Sequence, residues 1–249
     1  MWSSDNIIEF SHSPEWTDYL KDVYPIPAKF NIPDWYKNLK HSFKIQTIKG
    51  CMPFLDSLNA GYILKLPQDM YIAHNVKDSE GNADSYFKNA IHVTQEVLRH
   101  QYSVNIGSDA DDFHQPYQLG KCPMHEKNKH LPYFKIINPI KITTPPGYSC
   151  LFVPPLNNRD DRFEIISGIV DTDTFNSEVN FPMIINGDKY PVLETTLKRG
   201  TPYVQVIPFK REDWKMKINN KEKRTEISAF KKYIQDNYKK VFWKKKKWN

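Results

Sequence analysis

Eighteen prolines set against nine glycines in 249 residues constrain this chain more than any other feature of its sequence. Proline fixes φ at about −65° and offers no backbone N–H, so it interrupts helix interiors and central strands alike. A chain interrupted this often folds as many short extended segments joined by stiff turns, and long helices are excluded through most of its length. The chain is long enough to bury a real core as one large all-β or α/β domain or two small ones. Its 39% hydrophobic and 14% aromatic content rules out wholesale disorder.

Hydrophobic patterning divides the chain into three parts. Residues 1–43 form an extended arm rich in proline and aromatics, with Trp16, Tyr19, Tyr24, Phe30, Trp35 and Tyr36 placed to anchor it on a body. The plainer alternative is ordinary packing of those rings. Residues 44–211 carry the β material, beginning with FKIQTIKG, AGYILKLP and MYIAHNV. The polar stretch 77–85 is a loop tip, IHVTQEVL at 91–98 fits either a strand or a short helix, and 105–132 is a long turn-rich loop. FKIINPIKITTPPGYSCLFVPP, FEIISGIV, VNFPMIIN and TPYVQVIPF are rich in Ile, Val, Phe, Tyr and Thr and bounded by turn residues, which predicts an antiparallel sandwich or barrel. In residues 212–249, Phe230, Tyr233, Ile234, Tyr238, Val241 and Phe242 recur at helical spacing between lysines, which predicts an amphipathic helix docked by one face.

The net charge of +6 belongs to that last part. From Lys210 to Asn249 there are 15 Lys/Arg against 5 Asp/Glu, and the other 209 residues carry 20 against 24. The terminal lysines with Trp243 and Trp248 have the chemistry to grip phosphates and stack on bases. The alternative is a solvated helix end whose lysines complement the negative pole of the helix. Only 6 of the 35 basic residues are arginine, which argues against bidentate reading of phosphates or guanines. Three widely spaced cysteines, Cys51, Cys122 and Cys150, make no disulfide framework, and no leader-like or bilayer-spanning apolar run is present, so the expectation is a cytoplasmic protein with no membrane partner.

Motif chemistry narrows the classes further. His114, Cys122, His125 and His130 lie within 17 residues, and the two-residue gap between Cys122 and His125 suits a tetrahedral zinc, although no second paired knuckle follows. A solvated or hydrogen-bonded histidine loop is the competing reading, and no other cofactor is expected. The phosphate-loop, dinucleotide-fold and hydrolase-elbow signatures do not occur, nor does the His-x-Asp of iron oxygenases.

Four segments, in order, resemble the signature blocks of the dUTPase and dCTP deaminase superfamily. Ala60-Gly61-Tyr62-Ile63-Leu64 resembles A-G-Y-D-L, and the run from Pro145 to Leu156 resembles P-P-G-Y-x-G-x-x-x-P-R-S. Gly168-Ile169-Val170-Asp171-Thr172-Asp173 resembles G-V-I-D-x-D, and the run from Lys198 to Ile207 resembles K-x-G-D-R-I-A-Q-L-I. The resemblance spans about 150 residues and implies a β-clip fold, a distorted antiparallel sandwich often assembled as a trimer with sites between subunits. Further landmarks, among them IPAKFNIPDWYKNL and KGCMPFLDSLNAGYI, resemble an uncharacterised family encoded by tailed phages and marine bacteria, for which no activity is implied and the virion is a second possible location.

Departures from the superfamily fall on its chemistry. The water-orienting aspartate of A-G-Y-D-L is Ile63, the phosphate-holding arginine and serine are Pro155 and Leu156, and the deaminase glutamate falls on Met183. An isoleucine cannot take a proton and a proline donates nothing to a phosphate. Asp171 stands where the family holds the sugar hydroxyl, so the resemblance implies Asp171, Asp173, Thr174, Gly168 and Tyr62 as ligand-binding candidates. Those Asp and Thr side chains equally suit a turn that they cap themselves. The expectation is a β-clip-like domain that binds a partner or a nucleotide-like ligand without hydrolysing it. Two rivals are a structural oligomer, for which a trimer is the natural guess, and an enzyme whose chemistry has moved to the histidine loop.

Overall fold

Alternation of apolar and polar residues with period two, punctuated by proline and glycine, builds a mainly β protein of antiparallel sheets. The structure is a computed structural model and describes residues 6–42, 44–89, 113–219 and 238–248. A five-stranded sheet has the order β11 (Gly168–Val170), β9 (Tyr148–Val153), β14 (Pro202–Lys210), β3 (Tyr62–Lys65) and β2 (Ile26–Pro27). A four-stranded sheet runs β10 (Phe163–Ile165), β12 (Phe181–Ile185), β7 (Tyr133–Ile136) and β6 (Phe113–His114). Three strands, β13 (Leu193–Leu197), β4 (Met70–Lys77) and β5 (Ala83–Asn89), make a further sheet, and β1 (Glu9–Ser11) pairs with β8 (Lys141–Thr143). Every pairing among these strands is antiparallel.

Inward residues of all four sheets meet in one core. Phe152, Val204 and Val206 come from the first sheet, Phe134, Ile165 and Met183 from the second, Ile72 and Leu197 from the third, and Ile142 from the fourth. Each such side chain contributes about 1.5–3 kcal/mol relative to an exposed position. The run FEIISGIV, which reads as one strand, crosses between sheets: β10 pairs with β12, and β11 pairs with β9. The anticipated loop tip is a tight turn in which Asp78 Oδ1 accepts from the backbone N–H groups of Glu80 and Asn82.

Two expectations change. The N-terminal arm is wound into short turns, among them α1 (Thr17–Leu20) and α2 (Asp34–Asn38), because its prolines sit at helix starts, where a missing N–H costs nothing. Its anchors are mixed, with Trp16 packed against the main core. Leu20 and Val23 join the main core, whereas Phe30 and Trp35 are 68% and 50% exposed and only Tyr36 of the named rings is buried. The run FKIQTIKG yields a 3-10 turn over Ile48–Gly50 rather than a strand, since its backbone is satisfied locally: Thr47 N–H donates to His41 Nδ1 and Gly50 N–H to Thr47 O. It is followed by α3 (Met52–Asn59). The segment 91–98, the first part of the long loop and most of the anticipated C-terminal helix lie outside the described residues; Tyr238–Phe242 forms a π-helical turn. Among the described residues no helix is long and apolar enough to cross a membrane.

His74, on β4, is fully buried. Its Nδ1 lies 2.9 Å from Ser85 Oγ, and its Nε2 has no partner among the described residues. Burial, reinforced by the charge of Lys129, pulls its pKa down to about 4. The unfolded chain therefore takes up a proton between pH 6.5 and 4 that the folded chain refuses. Stability is full above pH 6.5 and falls by up to about 3 kcal/mol as the pH drops towards 4. Replacing the ring in His74→Gln flattens the stability profile across that window, measured by urea denaturation at stepped pH; an unchanged slope would show that the burial does not act through titration.

Candidate functional site

The turn Asp171–Thr174 follows β11 and meets the Pro145–Tyr148 turn that precedes β9. Thr172 points inward, 1% exposed, and its hydroxyl shares a hydrogen bond of 2.7 Å with the Thr144 hydroxyl and donates to Cys150 Sγ at 3.4 Å. Thr174 closes the turn on itself, its N–H and hydroxyl both donating to Asp171 O. This is the self-capping role that Thr and Asp side chains take in tight turns.

Both carboxylates are committed to one cation. Arg211, just beyond β14, donates from Nη1 to Asp173 Oδ1 at 2.9 Å and from Nη2 to Asp173 Oδ2 at 2.5 Å, a bidentate pair. Nη1 also reaches Tyr148 O and Ser149 Oγ, each at 3.0 Å, and lies 3.2 Å from Asp171 Oδ1. Ser149 Oγ donates to Asp171 Oδ1 at 2.6 Å, Gly147 N–H donates to Asp173 Oδ2 at 2.8 Å, and Arg211 N–H donates to Gly147 O at 2.8 Å. The guanidinium and the Gly147 N–H together hold the Asp173 carboxyl down at about 2 and raise Arg211 in turn. A carboxylate held this firmly as an anion by a bidentate partner is not a general base near neutral pH.

The resemblance blocks meet in a second knot around Gln205, at the other end of the β14 region. Gln205 is 1% exposed; its Oε1 accepts from Leu156 N–H at 2.7 Å, and its Nε2 donates to Ser57 O at 2.9 Å and Ala60 O at 2.6 Å. Beside it, Gly61 adopts φ 64°, and a Cβ there would sit 1.9 Å from Val206 O, so no other residue fits. Ile63 is 3% exposed and Pro155 is buried, so neither position faces a site.

Tyr62 stands apart from the acidic turn: in the sheet order its strand is separated from β11 by β9 and β14, roughly 14 Å at the usual strand spacing. It lines a cavity of about 420 Å³ with Thr144, Tyr148, Lys247 and Trp248. The C-terminal tail reaches this wall: Trp248 packs edge-on against Tyr62 at 6.5 Å, and Trp243 Nε1 and Lys246 Nζ both donate to Asp56 on α3. Three tail groups nominated for nucleic acid are thus already engaged. Gly168 is exposed on β11.

The histidine loop divides. Cys122 immediately precedes α4 (Pro123–Lys127) without capping it through its side chain, and His125 and His130 meet edge to face at 4.4 Å. His114 instead stacks on Tyr133 at 6.2 Å. Among the described residues no group of three His, Cys, Asp or Glu side chains is arranged to hold a metal ion.

Arg211, Ser149 and Gln205 are absent from the candidates that the sequence suggests. One signal pointed to the first: in a lysine-rich chain an arginine marks a place where a planar fork is wanted. Comparison with protein-family models, curated proteins and solved structures finds no match to this chain.

Loss of the Gln205 amide strands buried backbone groups on three segments. Gln205→Leu costs about 2–4 kcal/mol, read from the urea midpoint at unchanged m-value. The Asp173 pair acts in a different window from His74: its carboxyl is depressed in the fold, so its contribution is complete above the unfolded value near 4 and is lost as pH falls towards 2. Asp173→Asn removes that acid-side loss, while His74→Gln leaves it in place; the same titration followed by circular dichroism separates the two.

Proposed function

We propose that this chain is a β-clip-like protein that acts by binding a partner and has no nucleotide hydrolysis of its own. The observation that carries this reading is the pair of carboxylates closed onto Arg211, with Asp173 held bidentately and Asp171 bridged to Ser149. Support also comes from the buried Ile63 and Pro155 at the positions where the superfamily keeps its water-orienting acid and its phosphate-holding arginine. Leu156 offers an N–H that Gln205 already consumes. A nucleotide approaching this face would meet neither a base nor a free phosphate donor at those positions, and hydrolysis needs both within reach.

A second reading keeps the nucleotide-like ligand but moves it to the Tyr62 cavity. The specific observation in its favour is a wall that combines the rings of Tyr62, Tyr148 and Trp248 with the Lys247 cation. Such a wall suits a flat ring bearing an anionic group.

The purified protein is expected to leave dUTP and dCTP intact over hours, with or without added divalent metal, as followed by chromatography of the nucleotide pool. Turnover of either overturns the binding reading. Thermal shift against the same nucleotides decides between occupants, because a ligand that binds only the folded state raises the midpoint by mass action. A shift abolished by Tyr62→Ala assigns the cavity to a nucleotide-like ligand, and a flat response leaves the protein partner.

A further inference from the structure

Residues 212–219 follow immediately after Arg211 as an exposed segment without helix or strand of its own. Trp214, Met216 and Ile218 alternate with Lys215 and Lys217, the period-two pattern of a strand with one apolar face. Those three apolar side chains are 87%, 89% and 81% exposed, and among the described residues the backbone of 212–219 makes no hydrogen bond. A strand with unpaired backbone and three bare anchors in a row is an incomplete element, since exposed apolar residues normally occur singly.

The same chain offers a matching edge. β11 ends the five-stranded sheet, and among the described residues no strand pairs on its outer side. Ile169 is 63% exposed at the centre of that edge. It stands opposite Leu151 on β9, which stands opposite Ile207 on β14, so the three form one apolar row on one face of the sheet. Phe209, next but one along β14 and 37% exposed, leads from that row to the root of the arm. Arg211 is pinned by Asp171, Asp173 and the Gly147 carbonyl, which fixes the direction in which the arm departs.

The geometry points to a second copy of this chain as the partner: residues 212–219 of one copy add as a strand to β11 of another, with one of Trp214, Met216 and Ile218 set beside Ile169 to extend the row of Ile169, Leu151 and Ile207 and the other two flanking it along the strand. Receptor and arm lie on one continuous strip, so a two-fold arrangement lets both arms dock at once. One arm covers on the order of 500 Å² per side, about 1,000 Å² in total and the lower bound for a specific interface, and two docked arms double it. The inference names the partner for the binding reading above; nucleotide turnover would sink that reading and leave the assembly measurements untouched, so the two fail separately.

Sedimentation velocity of the full chain in reducing buffer, across a micromolar range, tests it. The wild type is expected to self-associate, and Trp214→Ser with Ile218→Ser, or Ile169→Lys alone, is expected to weaken association by at least about 30-fold. These side chains are exposed, so circular dichroism and the monomer melting curve stay as in the wild type. Mixing the arm variant with the edge variant restores a one-armed heterodimer. A wild type that stays monomeric, or assembly that survives the arm substitutions, overturns the proposal, and assembly that survives Ile169→Lys overturns β11 as the receptor.

Discussion

Strand β14 is hydrogen-bonded along both sides, to β3 and to β9, and the rest of the five-stranded sheet takes its register from it. Two locks act on it, one inside the strand and one just past its end. At Gln205 a buried amide draws together α3, the turn at Ala60 and the chain after β9. Just past Lys210 the Arg211 fork draws together the Gly147 turn and the acidic turn after β11. Both locks use donors and acceptors whose geometry is fixed in a plane, and both bind segments far apart in sequence. A central strand held at two such points transmits position well, because neither point can slide without stranding buried or charged groups.

The acidic turn shows how similar residues can serve catalysis or architecture according to what faces them. A carboxylate becomes useful to chemistry when its environment moves its pKa towards the working pH and leaves a face open to substrate. Asp173 is moved the other way, by a guanidinium and a backbone N–H, and its side chain is 5% exposed. Asp171 keeps more of its surface open but accepts from Ser149 and pairs with the same guanidinium. What this arrangement produces is a defined exit angle for the chain beyond residue 211.

Arginine use in this protein carries the same lesson more widely. The four described arginines each meet a carboxylate: Arg159 with Glu164, Arg162 with Asp160, Arg199 with Asp22, and Arg211 with Asp173. Lysine dominates elsewhere, although several lysines also form surface pairs, as Lys198 does with Asp69. A planar fork is retained where two backbone segments have to be held at a set angle, and a flexible ammonium suffices where charge alone is wanted. Surface pairs of the second kind contribute little to stability individually.

The antiparallel β class was legible from period-two runs and proline punctuation, because burial of one sheet face imposes alternation on any sequence that forms such a sheet. β3, β9, β12 and β14 stand where their runs predict them, and the Asp78 turn stands where polar residues interrupt the pattern. β13, with its LETTL sequence, escaped notice because a short edge strand with exposed Glu194 carries too little apolar signal. The sequence also nominated Asp171 and Asp173 but could not supply their partner, since Arg211 lies about 40 residues downstream and an ion pair leaves no local periodicity. By itself, then, the sequence determined the antiparallel β class, several of its strands and the residue types available at each turn, all of which follow from local sterics and hydrophobic period. Only the tertiary structure decided that the carboxylates close onto Arg211, that FEIISGIV divides between two sheets, and that Trp214, Met216 and Ile218 stand exposed. Those outcomes depend on contacts between segments far apart along the chain.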